Sequence, residues 1–101
     1  MGSSDPSDRG LRAATVDGIF YPAEAGPLAE RVRSLLSASG RPGTAACLIS
    51  PHAAFEYSGA VAAAAFQACA GRKVERVLLL GPVHREASER LLLPESDAFQ
   101  T

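Results

Sequence analysis

The chain has 101 residues, of which 47% are hydrophobic, and its 10 basic and 11 acidic residues leave a formal net charge of −1. This balance, with no cluster of Lys or Arg, excludes the basic surface of a typical nucleic-acid-binding protein. No apolar run approaches the roughly 20 residues that span a bilayer, and the polar start "MGSSDPSDRG" lacks the apolar stretch of a signal peptide. We therefore expect one small globular domain in the cytoplasm, with neither nucleic-acid nor membrane partners.

The N-terminal quarter of the chain shows no regular periodicity. Residues 1–10 are dominated by Ser, Asp, Pro and Gly, a composition that predicts a flexible tail. The stretch that follows contains a small aromatic cluster, Phe20 and Tyr21, preceded by Ile19. We expect these three side chains to pack onto the body of the domain, although Tyr21 could also reach a ligand-binding cleft.

A first helix is predicted to begin at Pro27, because proline suits the first helical position. Apolar residues then recur at helical spacing, which predicts one buried face. They are Leu28, Val32, Leu35 and Leu36. Gly40 and Pro42 are typical helix terminators. The apolar run 44–50, "TAACLIS", is typical of a strand buried on both faces of a parallel sheet.

A second helix is predicted over residues 59–70, "GAVAAAAFQACA", with Ser58 as its N-cap. Two further strands are predicted over residues 75–81, "ERVLLLG", and 89–95, "ERLLLPE". A strand–helix–strand order with a crossover of this length gives a parallel pair joined by a right-handed connection. The predicted class is therefore α/β, with a parallel βαβ unit and flanking helices.

The two cysteines are far apart and form no CxxC pair. Cys47 lies within the first predicted strand, and Cys69 follows an alanine-rich run. Both are predicted to be small buried hydrophobic residues, with Cys47 taking no part in metal binding. A chain without a disulfide framework suits a reducing cytoplasm.

Each of the two histidines follows a predicted strand: His52 the first and His84 the second. The carboxyl ends of neighbouring parallel strands lie at one edge of a sheet, where open α/β proteins bind ligands. We therefore expect both imidazoles to face a common cleft, where they could supply two ligands of a metal ion. The alternative is a pair of ordinary loop histidines that make hydrogen bonds.

Further polar residues flank these histidines. Glu56, Tyr57 and Ser58 stand at the predicted N-terminus of the second helix, where backbone N–H groups favour an anion. Simple capping of the helix is the alternative interpretation. Glu86 follows His84 by two residues and could be a carboxylate ligand, a general base or a solvated loop charge.

Three segments, taken together and in order, resemble the Memo family, also called AmmeMemoRadiSam system protein B. They are "RAATVDGIFYP", "ISPHAAFEYSGAVAAAAF" and "RVLLLGPVHRE". The family typically shows R-x-A-x-x-x-G-x-[WF]-Y-P, then PHAG-[YF]-x-YSG, then a strand that ends in GPSHH. The resemblance extends from Arg12 through the closing "LLLPESDAFQT".

This resemblance implies an α/β fold similar to that of the class III extradiol dioxygenases, which are non-haem iron enzymes. It also implies a transition-metal site, with iron or copper as the candidates, to which His52 and His84 contribute two ligands. In the family the remaining His and Cys ligands come later in a much longer chain. Residues 11–101 are thus expected to be the N-terminal part of a Memo-like domain, truncated relative to the family.

The sequence departs from the family pattern close to both histidines. Ala54 replaces the glycine of PHAG, Val83 replaces the serine of GPSHH, and Arg85 replaces its second histidine. A guanidinium at position 85 would oppose a bound cation and favour an anionic substrate. Tyr57, Ser58, Arg85 and Glu86 are therefore candidate contacts for a substrate or anion, and no catalytic residue is identified.

Three hypotheses follow, of which the first is a metal-binding Memo-like part with an incomplete ligand set. The second is a degenerate or structural module that associates with itself or with a partner chain and has no metal or activity of its own. The third is an enzyme in which Glu56 or Glu86 completes a 2-His-1-carboxylate triad. Because two or three strands leave sheet edges and faces uncovered, we expect apolar strand residues to be exposed and the chain to self-associate or need a partner.

Overall fold

The structure, a computed structural model, describes residues 10–84 and 87–101. Within them it contains strand β1 (Leu11–Arg12), helix α1 (Ala25–Ala38), helix α2 (Phe55–Gln67) and strand β2 (Ala98–Phe99). Residues 16–75 form one compact unit, which we call the helical unit. The described parts of 1–15 and 76–101 form the other, the terminal unit. Two helices with a parallel two-stranded sheet confirm the α/β class, whereas most of the predicted tail lies outside the described residues.

Helix α1 begins at Ala25, two residues before the predicted start. Pro27 is its third residue, a position where the missing N–H has no acceptor within the helix. The predicted apolar stripe of Leu28, Val32, Leu35 and Leu36 is confirmed as the half-buried face. The helix ends at Ala38, and Ser39 then donates both its N–H and its hydroxyl to the carbonyl of Leu36.

Helix α2 begins at Phe55, one turn earlier than predicted, so the assignment of Ser58 as its N-cap was wrong. Ala54 is the N-cap instead, and its carbonyl accepts the N–H of Ser58 at 3.1 Å. A side-chain cap is unnecessary at this end because the N–H of Phe55 already donates to the carbonyl of Phe20 at 2.8 Å. The helix ends at Gln67 and a turn continues through Gly71.

The two helices pack where α2 carries its smallest side chains. Gly59 and Ala63 are the buried residues among those described. A Cβ atom at Gly59 would lie 3.1 Å from a Leu35 methyl carbon and 3.3 Å from the Cβ of Phe55. The glycine therefore permits a close approach of α1 that a larger residue would disturb.

Segment 40–45 is hydrogen-bonded to the C-terminal end of α2, an arrangement that we call the loop clasp. Its backbone N–H groups satisfy carbonyls that a helix end otherwise leaves unpaired. Five bonds form it: Gly43 N to Gln67 O, Ala45 N to Ala68 O, Gly71 N to Gly43 O, the Gln67 amide to Gly40 O, and Arg72 to Thr44 O. The clasp determines where the segment leading to His52 leaves the helix pair.

Segments 44–50, 75–81 and 89–95, which were predicted to be strands, form no strand in the structure. A strand requires a neighbour that exchanges backbone hydrogen bonds along its length. Within these segments the described residues form a single backbone bond, from Ala45 to Ala68, and no ladder. Their side chains are exposed as expected: Ile49 is 95% exposed, and residues 77–80 are 73–87% exposed. These segments have the composition of buried strands without the neighbours that a sheet requires.

The sheet that does form joins the two ends of the described chain. Leu11 pairs in parallel with Ala98, and Arg12 with Phe99. The guanidinium carbon of Arg12 lies 5.7 Å from the centroid of the Phe99 ring, within range of a cation–π interaction. Two-residue strands have no detectable period, so the sequence did not predict this pairing. Neither helix in the described residues has both the length and the apolar character needed to cross a membrane.

Candidate functional site

A tight turn over residues 16–21 positions the segment around His52. The N–H of Gly18 donates to the carbonyl of Tyr21 at 2.7 Å, and that of Phe20 donates to Val16 at 2.8 Å. Gly18 has a φ of 76°, which favours glycine at this position. The turn is then held against α2 through the backbone bond from Phe55 to Phe20.

Aromatic packing reinforces this connection between the turn and α2. The rings of Tyr21 and Phe55 lie 5.9 Å apart and are inclined by 39°. Tyr21 is half-buried, as predicted for a packing role, whereas Ile19 is 74% exposed and does not pack onto the body as expected. The turn thus contributes its second aromatic residue, and not its aliphatic one, to the contact with α2.

His52 lines a concave pocket of about 250 Å³ between this turn and α2. Four aromatic rings contribute to its walls: Phe20, Tyr21, Phe55 and Phe66. Ser50 and Ser58 supply hydroxyl groups to the same pocket, and His52 itself is exposed. The arrangement is a mainly apolar concavity whose lining includes one histidine and two serines.

A second pocket, of about 390 Å³, shares Phe20, Tyr21 and Phe55 with the first. Residues 18–22 and 54–56 line it together with Arg31 of α1. Glu56, in the first turn of α2, is one of these lining residues. Arg31 was not predicted as a site residue, because a charged residue on the polar face of a helix usually indicates only a solvated surface.

The predicted substrate or anion contacts around α2 separate in the structure. Ser58 is half-buried and lines the pocket with His52, whereas Tyr57 is 83% exposed and lines neither pocket. At the start of the helix, the N–H of Phe55 donates to a backbone carbonyl. That bond occupies one of the N–H groups at this helix end, and the anion interpretation stays a prediction.

The second predicted metal ligand, His84, is exposed and belongs to the terminal unit, whereas His52 belongs to the helical unit. Their common cleft therefore stays a prediction. Arg85 and Glu86, the two other predicted contacts, lie outside the described residues.

The described residues do not by themselves form a complete metal site. Nowhere in residues 10–84 and 87–101 do three or more His, Cys, Asp or Glu side chains come together as they would around a metal ion. Cys47 is exposed, so the prediction that it is buried was wrong, because the strand expected to bury it does not form. Metal sites in proteins usually take three or four protein ligands, and the described residues bring no such set together.

Comparison with known proteins identifies relatives along nearly all of the chain. The family model described as "Memo-like protein" matches residues 12–101. Protein memo-1 homolog of Caenorhabditis elegans is 43% identical over 89% of this chain and 26% of its own length. Protein MEMO1 of Xenopus tropicalis is 35% identical, over 94% of this chain and 33% of its own. A MEMO1 family protein of the archaeon Nitrosopumilus maritimus is 33% identical, over 73% and 30%.

No solved structure matches this chain. The chain spans only about a quarter to a third of the length of the curated relatives that it matches. The family match nevertheless covers all three of the segments on which the resemblance rested, together with both histidines. The chain belongs to the Memo-like protein family.

Proposed function

We propose that this chain is the N-terminal part of a Memo-like domain in which His52 and His84 supply two ligands of a transition-metal site. One observation carries the proposal: the histidine of the "PHAAFEYSG" segment lines a pocket beside the start of α2. Neutral imidazole is a common ligand of iron and copper, which are the candidate metals. Further ligands must come from residues beyond these two, and we place the protein in the cytoplasm.

A metal titration of the 101-residue chain tests this proposal. Fe²⁺ is added under anaerobic conditions, and Cu²⁺ in a parallel series, with bound metal measured per chain by dialysis and elemental analysis. Two ligands bind a metal less well than a full set, so we expect weak, substoichiometric binding. Replacing either histidine, by H52A or H84A, should weaken that binding by about tenfold or more.

The double variant H52A/H84A is an informative control because the chain contains no other histidine. Metal that remains bound to it must be held by carboxylates or thiols, and C47S then tests the exposed thiol. Tight stoichiometric iron binding would instead indicate that this chain completes a site alone. No binding, or binding that is unaffected by either substitution, would contradict the proposal.

A second candidate function is a structural module that associates with itself or with a partner chain. The exposed apolar runs favour it: Val77, Leu78, Leu79 and Leu80 are each at least 73% exposed, and Leu91 and Leu93 are 89% exposed. Contiguous apolar surface of this kind marks interaction sites in soluble proteins. The terminal unit would then be covered by strands or helices from another chain.

Sedimentation velocity over a hundredfold range of concentration tests this second candidate. Association should increase with concentration and should be reduced by the double variant L78D/L80D, which introduces charge into the exposed run. The matched variant E75Q/R76Q changes the same number of residues next to the run and should leave association unchanged. A monomer at every concentration would contradict self-association. Association with a partner chain would then be tested by capture with a second Memo-like segment.

A further inference from the structure

The 390 Å³ pocket is lined by two side chains of opposite charge. Arg31 reaches it from α1, and Glu56 reaches it from the first turn of α2. Both side chains are exposed, and neither has an ion-pair partner among residues 10–84 and 87–101. A guanidinium and a carboxylate that line one pocket without pairing leave both charges available to a ligand.

The remainder of the lining is aromatic and aliphatic. Phe20, Tyr21 and Phe55 line the pocket beside Ile19, and Pro22 adds a rigid ring. The backbone bond from Phe55 to Phe20 and the contact between the Tyr21 and Phe55 rings hold these walls together. The pocket has a volume of about 390 Å³ and is open to solvent.

We propose that this pocket binds a free α-amino acid with an apolar or aromatic side chain. The guanidinium of Arg31 pairs with the ligand carboxylate, for which its planar fork is suited. The carboxylate of Glu56 pairs with the ligand ammonium group, and the ligand side chain lies against the aromatic wall. This site is separate from the proposed metal ligands and does not depend on them, because neither His52 nor His84 lines the pocket.

The unlike charges decide which class of ligand fits. A dicarboxylate would place one anionic group against Glu56, and a diamine would place one cationic group against Arg31, so each would meet repulsion at one end. A zwitterion satisfies both charges at once. The aromatic and aliphatic walls favour a hydrocarbon side chain, which can pack against them, over a charged one.

Titration of the ¹⁵N-labelled chain with L-phenylalanine, followed by amide chemical shifts, tests the proposal. We expect dissociation constants on the order of 1 mM, with shifts concentrated at residues 18–22 and 54–56. Phenylalaninamide lacks the carboxylate and N-acetylphenylalanine lacks the ammonium group. Each should bind about three- to tenfold more weakly than phenylalanine.

The variants R31Q and E56Q assign each ligand group to its partner. R31Q should weaken the binding of phenylalanine by about three- to tenfold. It should leave the binding of phenylalaninamide unchanged, because that probe has no carboxylate that could pair with Arg31. E56Q should weaken the binding of phenylalanine by the same factor and leave the binding of N-acetylphenylalanine unchanged. R33Q and E30Q make the same charge changes on α1 outside the pocket lining and should bind all three probes as the unsubstituted chain does.

Four results would overturn the proposal. The first two are an absence of shifts at the pocket residues with about 10 mM phenylalanine and shifts that map to another surface. The third is an equal loss of affinity for all three probes in R31Q. The fourth is a loss of affinity in R33Q that matches the loss in R31Q. Because both substituted side chains are exposed, all variants are expected to fold, and their amide spectra show this directly.

Discussion

The helical unit and the terminal unit both contain apolar segments, but these segments are buried to different extents in the two units. In the helical unit, α1 and α2 cover each other at Gly59, and the loop clasp satisfies the end of α2. In the terminal unit, two apolar runs are exposed, and two-residue strands are its regular structure among the described residues. Helices satisfy most of their backbone hydrogen bonds internally and can bury their apolar faces against neighbours that are close in sequence. Buried strands cannot, because each needs other strands on both sides.

Hydrogen exchange should give the largest contrast between the two units. Amides of α2 are hydrogen-bonded within the helix and should be protected by about hundredfold or more. The amides of Val77–Leu80 form no backbone hydrogen bond with a described residue and should exchange at nearly the rate of an unfolded chain. Mass spectrometry of peptides from each unit measures both rates. Protection over 77–80 that appears only at high protein concentration would place the self-association interface there.

The next largest effect is expected from replacing a tightly packed glycine of the helical unit by alanine. A Cβ atom at Gly43 would lie 2.6 Å from the carbonyl oxygen of Ala68, a backbone atom that cannot move aside easily, so G43A should lower the free energy of unfolding by about 1–3 kcal/mol. Helical circular dichroism during thermal unfolding measures this loss. Gly26 and Gly81 have nothing within 4 Å of the added carbon, so G26A and G81A are the matched controls and should not destabilise the chain. An unchanged midpoint in G43A would mean that the loop clasp is not formed in solution.

Truncation of leucines tests packing in the same way. Leu35 is half-buried against Gly59, so L35A should cost about 1–2 kcal/mol of unfolding free energy. Leu79 is 80% exposed, so L79A should change it by no more than about 0.5 kcal/mol in a monomeric sample. Chemical denaturation of both variants at the same low concentration gives the comparison. Equal losses in the two variants would indicate that the apolar run of the terminal unit is covered in solution.

The smallest effect is expected at the two-stranded sheet. Removing the guanidinium with R12A should destabilise the pairing by about 0.5–1 kcal/mol, as is usual for exposed cation–π contacts. The readout is the amide of Gln100, which donates to the carbonyl of Arg12 and should exchange about two- to fivefold faster. R90A removes a cation from the same unit without touching Phe99 and serves as the control. No change in exchange would show that the ring contact does not stabilise the strands.

The helices could be predicted from the sequence to within a few residues, because their periodicity lies within the segment itself. The start of α2 could not, because the carbonyl of Phe20 satisfies its first N–H and no side-chain cap marks it. Segments 44–50 and 75–81 have the composition of buried strands, but composition does not supply the neighbours that make a strand. The prediction that Cys47 is buried was wrong for the same reason.

The candidate site shows the same limit. Motif spacing identified His52 and Ser58, which line one pocket, since residues six apart around a helix start are brought close by local structure. The partnership of His52 with His84 depends on strands that do not form among the described residues, so it stays a prediction. Arg31 had no sequence signal, because its proximity to Glu56 results from the packing of two helices.

The bond between Phe55 and Phe20 uses only main-chain atoms, and this has a consequence for what substitutions at these two positions can change. Any residue except proline at position 55 can donate the same hydrogen, and any residue at position 20 can accept it. The backbone bond that helps to position the loop of His52 therefore does not depend on which side chains stand at positions 20 and 55. The backbone bond and the packing of Tyr21 against Phe55 are thus two independent connections between the turn and α2.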